Sequence, residues 1–245
     1  ILRHLREAVI VSLDESAQEV RQLADYARDA NLLTCYLGSP DQLRDVHSIV
    51  ACKIAGCSYE EFRRRLKKGS DDEQVIANAQ RQKAKITLFA SIYGAAAPKI
   101  AEGLGIPTEE AQGYIDAIYE QFPGVAAWKQ ASEDMATDKG FVPIHGGTIR
   151  HLAQMIVSED KYAASKALRQ AGNARIQSAG GNQIKTVMSR IWDSNLLDDY
   201  DYRWMFSIHD ETVHSVGVEH VVEVTKHLHE FMCEQFLEVV PSASS

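Results

Sequence analysis

The chain has 245 residues and a formal net charge of −8, with 45% hydrophobic and 24% charged residues. This length allows one large domain or two smaller ones, and the composition is that of an ordinary globular protein. The acidic balance argues against a protein that coats nucleic acid, and no apolar run is long enough to cross a bilayer. The spacing of Cys35, Cys52, Cys57 and Cys233 is not that of a zinc site and predicts buried thiols in a reducing compartment.

The first half of the chain is predicted to be one strand followed by helices. The β-branched run Ala8–Leu13, which ends at Asp14, predicts a buried strand. Helix-forming segments bounded by capping residues, Gly or Pro then follow. We predict helices over 17–30, 43–54, 59–68, 71–93, 98–104, 108–122 and 123–138.

The second half mixes hairpins and helices. Residues 140–152 read as a hairpin around Gly146-Gly147, and residues 203–216 read as a second hairpin with Asp210 and Glu211 at its tip. Helices are predicted over 159–192, with a kink at Gly180-Gly181, and over 218–239. The order predicts an α+β fold in which distant strands form an antiparallel sheet around a helical insertion.

A stripe of four side chains marks the longest helix of the first half. Arg81, Lys85, Phe89 and Tyr93 are spaced four apart, so they form one slowly turning row on the helix surface. Two cations followed by two rings suit the phosphates, sugar and base of a nucleoside triphosphate. The alternative is an amphipathic surface helix with an aromatic anchor.

Two acids stand at the ends of apolar strands. Burying Asp14 and Asp210 beside apolar residues is costly unless a cation or hydrogen bonds compensate. If their strands pair, the two carboxylates form an oxygen-ligand site suited to Mg²⁺. Alternatively, Asp14 caps a helix and Asp210 is an ordinary turn residue.

Three motifs in order resemble those of family A DNA polymerases, over nearly the whole chain. The first is DESAQEVR, with Asp14, Ser16, Glu19 and Arg21; the second is Arg81, Lys85, Phe89, Tyr93 and Gly94; the third is His209, Asp210 and Glu211. Connecting segments agree: DVHS with His47, FPGV at 122–125, GFVPIHGG at 140–147, and the series Arg169, Asn173 and Gln177. The continuation QSAG is similar to phage-type members.

The resemblance is incomplete in several places. Ala17 stands where the first motif has Gln, Ser207 precedes the third motif where Gln is usual, Thr148 replaces an Arg, and Asn182 replaces an Asp. The departures at Ser207 and Thr148 affect expected primer or template contacts and leave the metal site intact. The usual last strand after Pro241 is absent or altered. Nothing in the chain resembles the family's thumb or 3′–5′ exonuclease. We therefore expect a second chain or an N-terminal segment to supply them, as in a divided polymerase.

The resemblance implies a role for each matching residue. Asp14 and Asp210 would hold two Mg²⁺ ions, which Mn²⁺ can replace, with Glu211 beside them. His47, Arg81 and the catalytic Lys85 would bind the triphosphate. Phe89 would pack on the deoxyribose and favour a 3′-hydroxyl, Tyr93 would lie near the templating base, and Glu19 would exclude a 2′-hydroxyl. The DNA-binding residues would be Arg21, Arg169, Asn173, Gln177 and His209.

The resemblance also implies an organisation and a function. Residues 1–24 and 153–245 would form the palm and 25–152 the fingers of a right-hand fold without a thumb. The activity would be template-directed DNA synthesis from dNTPs on primer–template DNA, in the cytoplasm of a bacterium or a phage-infected host. Two alternatives remain: a catalytically silent, DNA-binding subunit with the polymerase fold, and a metal-dependent phosphodiesterase.

Overall fold

The computed structural model describes residues 7–38, 42–194, 197–198 and 200–240. The strands are β1 (Ala8–Asp14), β2 (Phe141–Ile144), β3 (Thr148–His151), β4 (Tyr202–Ile208) and β5 (Glu211–Gly217). The helices are α1 (Gln18–Ala27), α2 (Ala30–Leu33), α3 (Val46–Ile54), α4 (Tyr59–Lys68), α5 (Asp71–Ile92), α6 (Ala97–Leu104), α7 (Thr108–Gln121), α8 (Pro123–Lys139), α9 (Ala153–Ile156), α10 (Lys161–Ser194) and α11 (Val221–Val239). A 3₁₀ turn, Val218–His220, precedes α11. The predicted altered strand after Pro241 lies outside the described residues.

The described residues divide into two units. The first contains the residues up to Gln22, Ile144–Thr148 and the residues from Ile176 onward; the second contains Leu23–Pro143 and Ile149–Arg175. The palm and fingers limits at 24/25 and 152/153 stay predictions. No helix in the described part of the chain is both long enough and apolar enough to cross a membrane.

The first unit is built on a three-stranded antiparallel sheet with the order β1-β5-β4. Strand β1 pairs with β5 from Ala8 opposite Gly217 to Asp14 opposite Glu211. Strand β4 pairs with the other edge of β5, with a register shift between Trp204 and Phe206. The predicted α+β class and the pairing of sequence-distant strands are therefore confirmed.

One face of this sheet is covered by α10 and α11. Its core contains Val187, Ile191, Leu197, Val216, Val224, Leu228 and Met232. Val11 and Leu13 of β1 pack against these residues, because alternate side chains of a strand point to the same face. Each buried aliphatic side chain contributes about 1.5–3 kcal/mol. This packing fixes the register of β1, since a slip of one residue would expose Val11 and Leu13.

A polar group is enclosed in the same core. The imidazole of His214, fully buried, lies 3.0 Å from the Tyr202 hydroxyl through Nδ1 and 3.0 Å from Thr212 Oγ1 through Nε2. Burial lowers the pKa of His214 to about 4 because the charged ring cannot be solvated there. His214 is therefore a neutral structural residue at physiological pH.

The second unit is helical apart from the β2–β3 hairpin. Ser58 caps α4, and Ser70 and Glu73 form a reciprocal capping box at the start of α5, which explains why both helices begin where the sequence predicts. An apolar core joins α6 and α7: Ala97, Ile100, Ala101, Ala111 and Ile115.

The segment FPGV has a structural explanation in this unit. The backbone N–H of Gly124 donates to Asp29 Oδ2 at 2.7 Å, and the other oxygen of this buried carboxylate caps α2. A Cβ at position 124 would lie 2.9 Å from Asp29, so the close approach requires glycine.

One predicted element differs from the structure, and one element was not predicted. The helix predicted over 17–30 ends at Ala27, because Arg28 has a φ of 50° and interrupts it, and a separate helix, α2, begins at Ala30. The short helix α9 was not predicted. The helix α10 runs through Gly180-Gly181 as one element, and a kink there stays a prediction.

Protonation of His214 is expected to destabilise the fold in mild acid. Between pH 6.5 and 4 the unfolded chain binds a proton on this ring that the native state does not, so the free energy of unfolding falls as pH falls, by about 2–3 kcal/mol. In His214→Phe this part of the pH dependence should disappear. The same change should cost about 1–3 kcal/mol at pH 8, because Tyr202 and Thr212 lose a partner.

Urea unfolding from pH 4 to 8 measures both effects, with the exposed His151→Gln as the control. An unchanged pH dependence in His214→Phe would show that the ring is charged or solvated in the native state.

Candidate active site

Acidic side chains meet at one end of the three-stranded sheet. Asp14 is the last residue of β1 and faces Glu211, the first residue of β5, across the ladder. Asp210 precedes Glu211 in the two-residue turn that joins β4 to β5. His209, the first residue of this turn, has a φ of 54°, a left-handed conformation that costs about 1–3 kcal/mol for a non-glycine residue. Two-residue hairpin turns need a positive φ at this position, and glycine usually supplies it.

The acids in this group repel one another. Burial, followed by the charges of Asp210 and Glu211, raises the pKa of Asp14 above its ordinary value. Glu211 Oε1 accepts a hydrogen bond from the Ser12 hydroxyl. Within the described ranges, no group of three or more His, Cys, Asp or Glu side chains forms a ready metal site. The predicted ligand set is the smaller pair Asp14 and Asp210, and its excess negative charge fits a hard divalent cation.

Two residues beside this acidic group, Glu15 and Gln183, were not predicted as site residues. Glu15 accepts a hydrogen bond of 2.8 Å from Gln183 Nε2, and Gln183 Oε1 accepts one of 3.1 Å from Gln18 Nε2. Burial and the charge of Asp210 raise the pKa of Glu15 to about 7, against the opposing effect of the Gln183 bond. Gln183 is fully buried, yet a Gln on a long helix normally indicates a solvated face. No pattern in the sequence distinguishes it.

Glu19 and Arg21, the other acid and base of the first motif, lie on α1. Glu19 is in the first turn, where a negative charge is favourable. Arg21 Nε donates to the backbone carbonyl of Ser16 at 2.8 Å, so its side chain is folded back on the connection between β1 and α1.

The predicted stripe of the second unit lies on α5. Arg81 and Phe89 are half-buried, and Lys85 and Tyr93 are exposed. Arg81 is bound to Asp45, with Nε 2.6 Å from Oδ2 and the terminal nitrogen Nη2 3.0 Å from Oδ1. The exposure of Lys85 and Tyr93 leaves this row accessible to a ligand.

His47, on α3, lies beside the same stripe. Its ring is 6.2 Å from that of Phe89, centroid to centroid, and it is buried. Burial lowers the pKa of His47 to about 4; Asp45 opposes this shift, and Arg81 and Lys85 add to it. The ring is therefore neutral at pH 7. Its Nδ1 has no hydrogen-bond partner among the residues that the structure describes, which is unusual for a buried polar atom.

The end of α5 is shaped by Gly94. This residue has a φ of 76°, and a Cβ there would lie 2.7–2.8 Å from the side-chain carbons of Arg169. Arg169 Nη1 donates to Ser165 Oγ at 2.6 Å. Gly94 therefore gives the Arg169 side chain the room to pass the end of the helix.

The remaining DNA-binding candidates follow along α10. Asn173 is half-buried, and its Oδ1 has no partner within the described part of the chain. Gln177, four residues further, is exposed. The structure places His209 in the β4–β5 turn of the first unit. Their contact with nucleic acid stays a prediction.

The sequence is similar to known proteins of one family. The family model for DNA polymerase family A matches residues 3–243. The chain is 28% identical to DNA polymerase I of Streptococcus pneumoniae serotype 4 over 96% of its own length and 25% of the relative. It is 26% identical to the thermostable DNA polymerase I of Thermus aquaticus over 91% of its own length and 24% of the relative.

A solved structure has the same fold. The POL domain of Pol1 from M. smegmatis, in complex with DNA primer-template and dNTP, matches 94% of this chain and 37% of that chain, with a TM-score of 0.76 and 24% identity. The fold and motifs are thus those of a polymerase. The chain belongs to DNA polymerase family A, and it spans about a quarter of the length of the curated relatives it matches.

Removing the charge of Glu15 should stabilise the metal-free protein at high pH. Its native pKa is about 7 and its ordinary value is 4.5, so the native state binds a proton between these values and loses stability as pH rises through 7. Glu15→Gln should therefore melt about 2–4 °C higher than the parent protein at pH 8, and at the same temperature at pH 5.

The measurement is thermal unfolding in EDTA, with the exposed Glu223→Gln as the control. A lower melting temperature for Glu15→Gln at pH 8 would contradict the assigned repulsion.

Proposed function

We propose that the protein catalyses template-directed DNA synthesis, in which the primer 3′-hydroxyl attacks the α-phosphorus of a dNTP. The bond to the β-phosphate breaks, and pyrophosphate leaves. The observation that carries this proposal is the meeting of Asp14, Asp210 and Glu211 at one sheet end in a chain of family A. The relative of known structure, in complex with primer–template and dNTP, supports the same substrates.

In this proposal Asp14 and Asp210 would hold two Mg²⁺ ions, or Mn²⁺ in their place, with Glu211 beside them. When bound, such ions would supply Lewis-acid chemistry, lowering the pKa of the attacking hydroxyl and neutralising charge on the leaving phosphate. The protein's contribution is to hold the two carboxylates in place through strand pairing and the strained turn at His209.

The α5 stripe supplies the nucleotide contacts. Lys85, exposed and cationic, neutralises the charge that develops on the leaving pyrophosphate, together with Arg81. Because His47 is neutral, it donates a hydrogen bond to a phosphate oxygen but contributes no positive charge. Phe89 packs on the deoxyribose and Tyr93 lies near the templating base, so that the rings select the shape of the incoming nucleotide. Glu19 excludes a 2′-hydroxyl.

The primer–template is held by Arg21, Arg169, Asn173, Gln177 and His209. Phosphate contacts dominate the affinity for duplex DNA, so binding by these residues should weaken strongly with salt. The second chain or further segment expected to supply a thumb and an exonuclease stays a prediction.

The two alternative functions predict different products, or no product at all. A phosphodiesterase using the same carboxylates would release mononucleotides, and it has no use for the α5 stripe. A silent DNA-binding subunit would release neither product, and its Mn²⁺ binding would not depend on Asp14.

Asp14→Asn and Asp210→Asn should each abolish primer extension. Loss of a carboxylate that holds a catalytic cation removes several kcal/mol of transition-state stabilisation, or about 10³-fold in rate. Thermal stability without metal should be unchanged or higher, because a like charge is removed from the acidic group.

The assay is single-nucleotide incorporation at low salt, with release of pyrophosphate followed in parallel and Asp138→Asn, an exposed acid on α8, as the control. Extension at the parental rate by Asp210→Asn would refute the proposed function.

A further inference from the structure

A carboxylate outside the three family motifs holds the first cation of the stripe. Asp45, which immediately precedes α3, binds Arg81 of α5 through two hydrogen bonds, at 2.6 and 3.0 Å. Its side chain is only 17% exposed. A bidentate pair of this kind fixes the plane of the guanidinium as well as its position.

Asp45 is itself held by neighbouring residues. Ser48 donates a hydrogen bond to Oδ2 at 2.5 Å, Arg63 of α4 lies 3.3 Å from the same oxygen, and the backbone N–H of Asp45 donates to the Tyr59 hydroxyl at 2.9 Å. Burial alone would raise the pKa of Asp45, but the bonds from Arg81 and Ser48 and the charge of Arg81 hold it below its ordinary value. The carboxylate is therefore charged and rigid at neutral pH.

The pair leaves part of the guanidinium available. Asp45 binds Nε and Nη2, which form one edge of the group, and Arg81 has five N–H donors in all. The other terminal nitrogen, Nη1, is not used by Asp45. An anion could therefore bind Arg81 without displacing Asp45.

Two opposite effects of Asp45 on anion binding must be compared. Its negative charge repels a phosphate, but Arg63 and Ser48 already bind the same oxygen and reduce that repulsion. Asp45 already holds Arg81 in place, so anion binding does not have to order this side chain. The entropy lost on ordering an arginine is among the largest of any side chain. Arg63 and Ser48 offset part of the repulsion between Asp45 and a phosphate, whereas the gain from holding Arg81 in place is not reduced. The fixed orientation of Arg81 is therefore the larger effect.

We infer that Asp45 is a positioning residue for triphosphate binding, which presents Arg81 in a fixed orientation beside His47 and Lys85. Only the identity of the anion, a dNTP triphosphate, rests on the proposed function. Asp45 does not contact the nucleotide. Its removal should therefore weaken phosphate binding only while Arg81 is present.

The test is a double-mutant cycle on the full 245-residue chain, with inorganic tripolyphosphate and dATP as probes in isothermal titration calorimetry. In Asp45→Asn the Kd for both probes should rise about tenfold, the effect of releasing one ordered side chain. In an Arg81→Ala background, Asp45→Asn should change the Kd by less than about twofold. The control is Asp72→Asn, an exposed acid in the first turn of α5, which should leave the Kd unchanged.

Equal or tighter binding by Asp45→Asn would overturn the inference, since Asp45 would then act as a competitor of the phosphate. An equal loss in the Arg81→Ala background would also overturn it, since the effect would not pass through Arg81. If Asp45→Asn does not fold by circular dichroism, Arg81→Lys replaces it. A Lys keeps the charge but cannot form the bidentate pair, so a tenfold rise in Kd is expected, and an unchanged Kd refutes the inference.

Primer extension separates this inference from the proposed function. Coupling between Asp45 and Arg81 in tripolyphosphate binding, in a chain without polymerase activity, would leave the positioning role intact and refute only the proposed function. Polymerase activity without that coupling would support the proposed function and refute the positioning role of Asp45.

Discussion

The register between β1 and β5 is the constraint on which the acidic half of the site depends. Asp14 lies opposite Glu211 only because Val11 and Leu13 face the core formed with α10 and α11. A shift of one residue would expose these apolar side chains and turn Asp14 to the other face of the sheet. Apolar packing thus holds together like charges that would otherwise separate, since a slip of β1 would remove both side chains from the core at once.

Most of the fold was accessible from local signals in the sequence. The helices α4, α5, α7 and α8 begin at capping residues or at Pro and end at Gly or before Pro, and the two hairpins follow from turn residues between short apolar runs. The break between α1 and α2 was not accessible, because Arg28 adopts a left-handed conformation that its side chain does not favour. The next residue, Asp29, caps α2 and accepts a hydrogen bond from the backbone of Gly124, 95 positions away, and a single sequence does not record that contact.

The candidate site shows the same division. The acids and the α5 stripe could be predicted because each is a pattern within one element or one turn. Glu15, Gln183 and Asp45 were missed as site residues, because their roles come from partners between 36 and 168 positions away in the chain. An acid before a helix reads as a cap, and a glutamine on a helix reads as solvated. In the structure the side chains of Asp45 and Gln183 are both enclosed and hydrogen-bonded, and the role of each depends on a distant residue.

The two units differ in how the charges of their site residues are compensated. In the first, burial and the charges of Asp210 and Glu211 raise the pKa of Asp14, and burial and the charge of Asp210 raise the pKa of Glu15. In the second, Arg63 and Arg81 are already matched by Asp45, whose pKa is lowered. Acids that outnumber the cations near them gain from an external cation, whereas cations held by an internal acid are oriented in advance for an external anion. The proposed reaction between a primer hydroxyl and a polyphosphate would use both arrangements, and each one follows from hydrogen bonds and burial within its own unit.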